Sequence, residues 1–403
     1  MIPFSPPRID QKIIDEVTDT LKSGWWTTGP KTKLFEQRLT DYCGNRKTFC
    51  VSSATAGLEL MLRWFGVKEG DEVIIPAYTY TATANVVVHC GATPVMADVN
   101  EDFNISLAEI QRLITNKTKV IIPVDMAGMP CDYDEIMHLA KDSSSLFSPS
   151  TEVQKKLGRV LILSDSAHSI GGEYKGQKTG SLTDVSVFSF HAVKNLATAE
   201  GGGIALNLPK QFDCEELYKY LNTFSLHGQS KDALAKTQKG GWRYDVIEPG
   251  YKCNMTDIQA SIGLVELERY ESDTLKRRKG IFDRYSAGFS QYHWAQLPVA
   301  ITNDKTSSYH IYMLRLNGFK EEQRDEVIQG IFDKDVSVNV HFQPLPLLTA
   351  YKSRGYKMED YPKAFDNYQR EITLPMYYTL TNEQVDEVIA AVVESVEKVL
   401  NNS

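Results

Sequence analysis

The stretch "FSFHAVKNLATAEGGG" sets one lysine, Lys194, four residues after the apolar run "VFSF" and shortly before three glycines. Lysine is strongly hydrated, and a lysine held partly out of water loses proton affinity. Its neutral amine can then attack an aldehyde and form an imine. Ser189 in the same stretch can donate to a phosphate, and "EGGG" lets the backbone come close to a ligand or to another strand. A second group lies in "LILSDSAHS". Asp165 directly follows an apolar run, which puts it at the carboxyl end of a strand, where open α/β sheets bind their ligands. A carboxylate there can hold a proton on a ring nitrogen by charge pairing, and His168 can reach the same ligand. In "VSSATAGLEL", small residues (Ser52, Ser53, Ala54, Thr55) sit where a strand turns into a helix. The free N–H groups of a first helical turn, with the positive end of the helix dipole, suit a phosphate. Asn254, in "EPGYKCNMTDIQASIG", offers an amide donor just before another helix start. Each of these residues also has an ordinary structural role: helix cap, strand-end turn, solvated lysine or loop amide.

The elements that must position these groups follow from periodicity. "RKTFCVSS" reads as a strand and "ATAGLELMLRWFG" as a helix, with Leu58, Met61, Leu62 and Phe65 on one face at i, i+3, i+4 and i+7. "DEVIIP", "TPVMADV", "KVIIPVDM" and "VLILSDS" are short apolar runs bounded by polar or turn residues, "DVSVFSF" alternates, and "YTATANVVVHCG" reads as a helix. Repeated strand–helix units predict an α/β domain with a mostly parallel sheet covered by helices. The polar segment at 142–158 interrupts the rhythm and reads as a surface insertion.

At Thr256 a capping box (Thr256, Gln259) opens a helical pattern that continues to Phe289. Beyond it "SSYHIYMLRL" and "VSVNVHF" read as strands, and "EEQRDEVIQGIF" and "TNEQVDEVIAAVVESVEKVL" as helices. The expected division is a large domain at 1–255 and a long linking helix with a smaller α+β domain at 256–403.

Composition narrows the class. The 403 residues carry a net charge of -8, which speaks against nucleic acid as the main partner. No apolar run approaches the ~18 residues that span a bilayer, and no signal peptide is expected from the first residues. The six cysteines are scattered without a CxxC pair, so no metal site and no disulfide framework is expected; reduced thiols in a cytoplasmic protein fit the pattern.

The order of the motifs is more specific than any one of them. A phosphate-type strand–helix turn, Asp-x-x-His, Ser-Phe-His-x-x-Lys-Asn and Gly-Tyr-Lys-x-Asn-Met-Thr-Asp-Ile-Gln occur in that sequence. Together they resemble the nucleotide-sugar aminotransferases of the DegT/DnrJ/StrS type, pyridoxal phosphate (PLP) enzymes of fold type I. The resemblance runs from "GWWTTGPKTKLFEQRL" to "ITLPMYYTLTNEQVDEVI". It implies a three-layer large domain and gives Lys194 the role of the lysine that carries the cofactor. Asp165 becomes the partner of the pyridine nitrogen, and His168 a group near the phenolic oxygen. Tyr80, in "IPAYTYTATAN", is the aromatic residue on the ring, and Ala54, Thr55 and Ser189 are phosphate ligands. Asn254 resembles a residue that reaches the phosphate of the partner subunit, which implies a homodimer with shared sites. Candidates for substrate contact are Trp26, Thr28, His310 and His341. Two positions depart from the pattern: Ala54-Thr55 stands where Gly-Thr is common, and "GYKCNM" where Gly-Tyr-Asn-x-Arg-Met is common.

The resemblance implies amino transfer from L-glutamate to a nucleotide-linked 4-keto-6-deoxyhexose, the "SFH" form of the lysine motif being more like C4-aminating members. Two other readings stand beside it: a PLP-dependent sugar dehydratase or lyase, and a PLP-binding regulatory protein without turnover. Lys194 favours amino transfer over dehydration, because dehydrating relatives carry histidine there.

Overall fold

The computed structural model describes residues 1–231 and 243–402. Its centre is a seven-stranded sheet in the order Lys47–Val51, Gly202–Leu206, Val185–Ser189, Leu161–Asp165, Thr118–Ile121, Glu72–Pro76, Thr93–Ala97. Gly202–Leu206 runs antiparallel to both its neighbours, and the remaining pairs are parallel. The strands are four or five residues long and, the edge strand Thr93–Ala97 apart, almost wholly buried, which is why "DEVIIP", "KVIIPVDM" and "VLILSDS" read as apolar runs.

Helices cover the sheet. Ala54–Phe65 turns Leu58, Met61, Leu62 and Phe65 inward, each at 1% exposure or less. Burying such a side chain contributes about 2 kcal/mol. Ser53 caps this helix by accepting from the Ala56 N–H, and Gly66 ends it in a left-handed conformation. Gly202, from the glycine run, sits so close to the Ser53–Ala54 backbone that a Cβ there would lie 2.6 Å from the Ala54 nitrogen. The glycine therefore fixes how tightly the sheet meets the start of this helix.

The segment at 142–158 is less of a surface excursion than its polarity predicts. Gln154 is fully buried in the helix Glu152–Leu157, and its amide donates to the Phe65 carbonyl at 2.9 Å, capping the end of the neighbouring helix. The helical pattern that begins at Thr256 forms its capping box but then breaks. Asp257–Glu268 and Lys276–Phe289 are α-helical, and a π-helical turn, Tyr270–Leu275, joins them.

C-terminal to these helices, the strands Ala295–Gln296, Tyr312–Leu316 and Glu371–Leu374 form a small antiparallel sheet, packed with the helices Glu321–Phe332 and Asn382–Asn402. Two strand expectations need correction. Only the second half of "SSYHIYMLRL" is a strand; Ser308 and His310 instead donate their N–H groups to the carbonyls of Gly128 and Ala127. "VSVNVHF" is not a strand and makes only isolated bridges, Ile2 to Val336 and Asn339 to Thr373. A side chain replaces the ladder there: the His341 N–H donates to the Glu371 carboxylate at 3.0 Å.

Among the described residues no helix is long and apolar enough to cross a membrane, and no three His, Cys, Asp or Glu side chains are grouped to hold a metal ion. The six cysteines are unpaired.

Candidate active site

A cavity of about 420 Å³ opens at the carboxyl ends of the parallel strands. Lys194, Asp165, His168, Ser189, Ala54, Thr55, Tyr80, His310 and His341 all line it. Asp165 and Ser189 are the last residues of their strands, so the sheet itself aims them at this space. Ala54 and Thr55 begin the helix whose first-turn N–H groups face the same end.

The electrostatics follow from burial. Desolvation pushes the Lys194 amine down to about 8, against the opposing pull of the Asp165 carboxylate. Asp165 is 6% exposed, and burial raises its pKa although three groups favour its charge: the Thr83 hydroxyl, which donates to Oδ2 at 2.9 Å, the Ala167 N–H at 3.3 Å, and Lys194. A buried carboxyl of this kind favours a cationic ligand. His168 is also buried, and its Nδ1 has no hydrogen-bond partner. Burial first, and Lys194 and His341 second, hold it neutral, well below the usual histidine range.

His310 stacks near His168 with ring centroids 4.3 Å apart. Its Nδ1 lies 2.8 Å from Oδ1 of Asn195, whose amide nitrogen donates to the Ser308 carbonyl at 2.7 Å. That orients the amide, so His310 carries its proton on Nδ1. His341 is pushed down to about 4 by burial and by Lys194, and its Nδ1 lies 3.1 Å from the Thr373 hydroxyl. That hydroxyl donates to the buried Glu371 at 2.5 Å, a carboxyl that burial raises to about 8. Tyr80 is 58% exposed at the mouth, with its ring 5.5 Å from that of Phe342.

Trp26, Thr28 and Asn254 do not line this cavity. Trp26 is exposed, with its indole N–H donating to the Leu21 carbonyl at 3.1 Å. Asn254 donates to the Thr28 hydroxyl at 2.7 Å and accepts from the Lys252 ammonium; Thr28 in turn donates to the Met255 carbonyl. Sequence reasoning missed Thr83, Asn195, Phe342 and the N-terminal Phe4, which stacks on His341 at 5.5 Å. Thr83 acts on Asp165 across 82 residues of chain, a pairing that no local pattern announces. Asn195 had a signal, since it directly follows Lys194 in the motif.

Residues 7–393 match the DegT/DnrJ/EryC1/StrS aminotransferase family. The chain belongs to that family. It is 37% identical to the spore coat polysaccharide biosynthesis protein SpsC of Bacillus subtilis over 396 residues, 97% of this chain and 96% of SpsC. Among solved structures it is similar to Spr1654 of Streptococcus pneumoniae, described as a sugar aminotransferase. The PMP form of Spr1654 is 50% identical with a TM-score of 0.96, covering 99% of this chain and 100% of that one. Its PLP form gives 49%, 0.94, and 99% of each chain. Helicobacter pylori PseC, an aminotransferase involved in pseudoaminic acid biosynthesis, is 26% identical with a TM-score of 0.86, covering 98% of this chain and 99% of PseC. The chain is thus a PLP-dependent sugar aminotransferase. The donor set of the cavity fits that cofactor. It holds a sheltered amine of lowered proton affinity, a buried carboxyl suited to a cationic ring nitrogen, an unpartnered imidazole nitrogen, and helix-start N–H groups beside a serine.

Proposed function

We propose that this aminotransferase moves an amino group from L-glutamate to C4 of a nucleotide-linked 4-keto-6-deoxyhexose. The observation that carries the reading is the pairing of Lys194 and Asp165 in one buried cavity, each displaced from its ordinary pKa. When bound, PLP supplies an electron sink for the carbanion formed on the amino donor. Lys194 would hold the cofactor through its Nζ and, once free, would move protons at that atom as base and acid. An arginine could do neither, because it stays protonated. Asp165, oriented by Thr83, keeps the ring nitrogen protonated. Ala54, Thr55 and Ser189 would bind the phosphate, Tyr80 would cover the ring, and His168 would serve the phenolic oxygen. His310 and His341, both neutral, present ring nitrogens to the sugar hydroxyls.

The enzyme acts as a homodimer with shared sites in this reading. Its support is that Asn254, bonded to Thr28, and the exposed Trp26 all lie off the chain's own cavity. Residues 1–255 supply the cofactor cavity, and 256–403 form the smaller unit that closes it with His310 and His341.

An absorbance spectrum of the purified protein, before and after L-glutamate, tests the first half of the reaction. Loss of the yellow band with appearance of the aminated cofactor is expected. A bound cofactor that does not respond to L-glutamate would overturn the donor. Product analysis with 4-keto and 3-keto nucleotide sugars then decides the carbon.

A further inference from the structure

The wall that carries Lys194 has a second face. Behind it lies another cavity, of about 200 Å³, bounded by the N-terminal segment at 5–9, the backbone at 192–195 and the helical residues Thr274 and Arg278. Most charges around it are consumed by one another. Arg8 pairs with Asp10 and Asp273 and lies over the Tyr378 ring, and Glu266 pairs with Arg269. Arg278 is different. It is 3% exposed, donates from Nη1 to the Met376 carbonyl at 2.9 Å, and meets no carboxylate among the described residues. Burial lowers its pKa to about 10, and only the Tyr270 phenol opposes the shift. One helical turn earlier Thr274, 2% exposed, lines the same cavity with its hydroxyl unpartnered.

A buried guanidinium is costly to leave without a counter-charge, and its planar fork of donors matches an anion well. A hydroxyl without an acceptor adds a second unmet demand of the same kind. We infer that this cavity is a binding site for a small monovalent anion, a halide or a short carboxylate, held by the Arg278 guanidinium and the Thr274 hydroxyl. Its volume leaves room for such an ion together with several waters, each of about 30 Å³, and is about half that of the cavity on the other face of Lys194. The site is distinct from that cavity, because neither Arg278 nor Thr274 lines the larger space.

The holoenzyme is heated in sodium bromide and in sodium formate, with sodium gluconate, a far larger anion, keeping the ionic strength constant. A saturating rise in Tm of about 2–4 °C is expected with one or both salts. Bromide alone identifies a halide site, formate alone a carboxylate site. The rise is lost in Thr274→Val and in Arg278→Met; should Arg278→Met fail to fold, Thr274→Val carries the comparison. Crystals soaked in the effective salt are expected to show the ion within hydrogen-bond reach of both side chains. No rise above gluconate with either salt would overturn the site. So would a rise that persists in both variants, or an ion seen only elsewhere, which would leave an adventitious ion only.

Discussion

The two ends of the central sheet treat buried charge in opposite ways. At the amino end Arg159 and Asp184 form a closed bidentate pair, with both N···O distances at 2.7 Å. Their leftover demands are met as well, by the Val160 carbonyl and the Ile162 N–H. At the carboxyl end Asp165 and His168 are just as enclosed and Lys194 is half-buried, yet no mutual hydrogen bond closes them, and the His168 Nδ1 is orphaned. Charges that satisfy one another hold a fold together. Charges that burial perturbs and leaves open toward a cavity are available to a ligand. The comparison also accounts for a desolvated lysine at this end: Lys194 faces a cavity, where the proposed function has the cofactor take it up.

Replacing Lys194 by Ala is the most severe test of the open end. Turnover is expected to fall by about 10⁴-fold or more, because the cofactor attachment and the base are lost together. Tm should stay level or rise, since a desolvated amine has been removed. Normal turnover would break the contrast outright. At the closed end, Asp184→Ala strands Arg159 and the Ile162 N–H. A loss of about 3–5 kcal/mol in denaturant unfolding is expected, with unchanged turnover per folded molecule. If this variant lost turnover while keeping its stability, the amino end would have a chemical role. Asp165→Asn is expected to cost roughly 10²-fold in the half-reaction with L-glutamate, read by the rate at which the yellow band is lost.

The smallest effect is a pH dependence of the cofactor-free protein. Lys194 has a folded pKa of about 8, below its ordinary 10.5. Between these values the unfolded chain holds a proton that the folded chain has released, so stability rises with pH across that window. Denaturant midpoints measured at both ends should show the rise in the wild type and not in Lys194→Ala.

Much of this contrast was legible in the chain because strand ends are legible. Asp165 and Ser189 each close a short apolar run, and Ala54-Thr55 opens a helix with a clear apolar face. Periodicity alone therefore sends all four to one edge of the sheet. What could not be read depended on distant partners. "VSVNVHF" has a strand's alternation, but the Glu371 side chain takes the His341 amide from thirty residues away. The π-turn at Tyr270–Leu275 leaves no trace in a helical pattern that continues on both sides. Gln154 looks like surface until the end of another helix is found to need its amide. Trp26 and Thr28 read as substrate contacts, whereas the Trp26 indole donates to the Leu21 carbonyl and Thr28 is bonded to Asn254 and Met255, away from the cavity.

The antiparallel strand Gly202–Leu206 has a consequence for how the protein is made. Among the described residues Lys47–Val51 finds its ladder partner in that strand, which leaves the ribosome about 150 residues later. Until then an apolar strand and the helix start that follows it wait without their neighbour, while the strands from Glu72 to Asp165 can already pair among themselves. The first strand to be synthesised is thus among the last to be secured. The nascent chain passes through a stage in which half the sheet is formed and the turn into the helix at Ala54 is not, and that stage is where a chaperone would find exposed strand edge to hold.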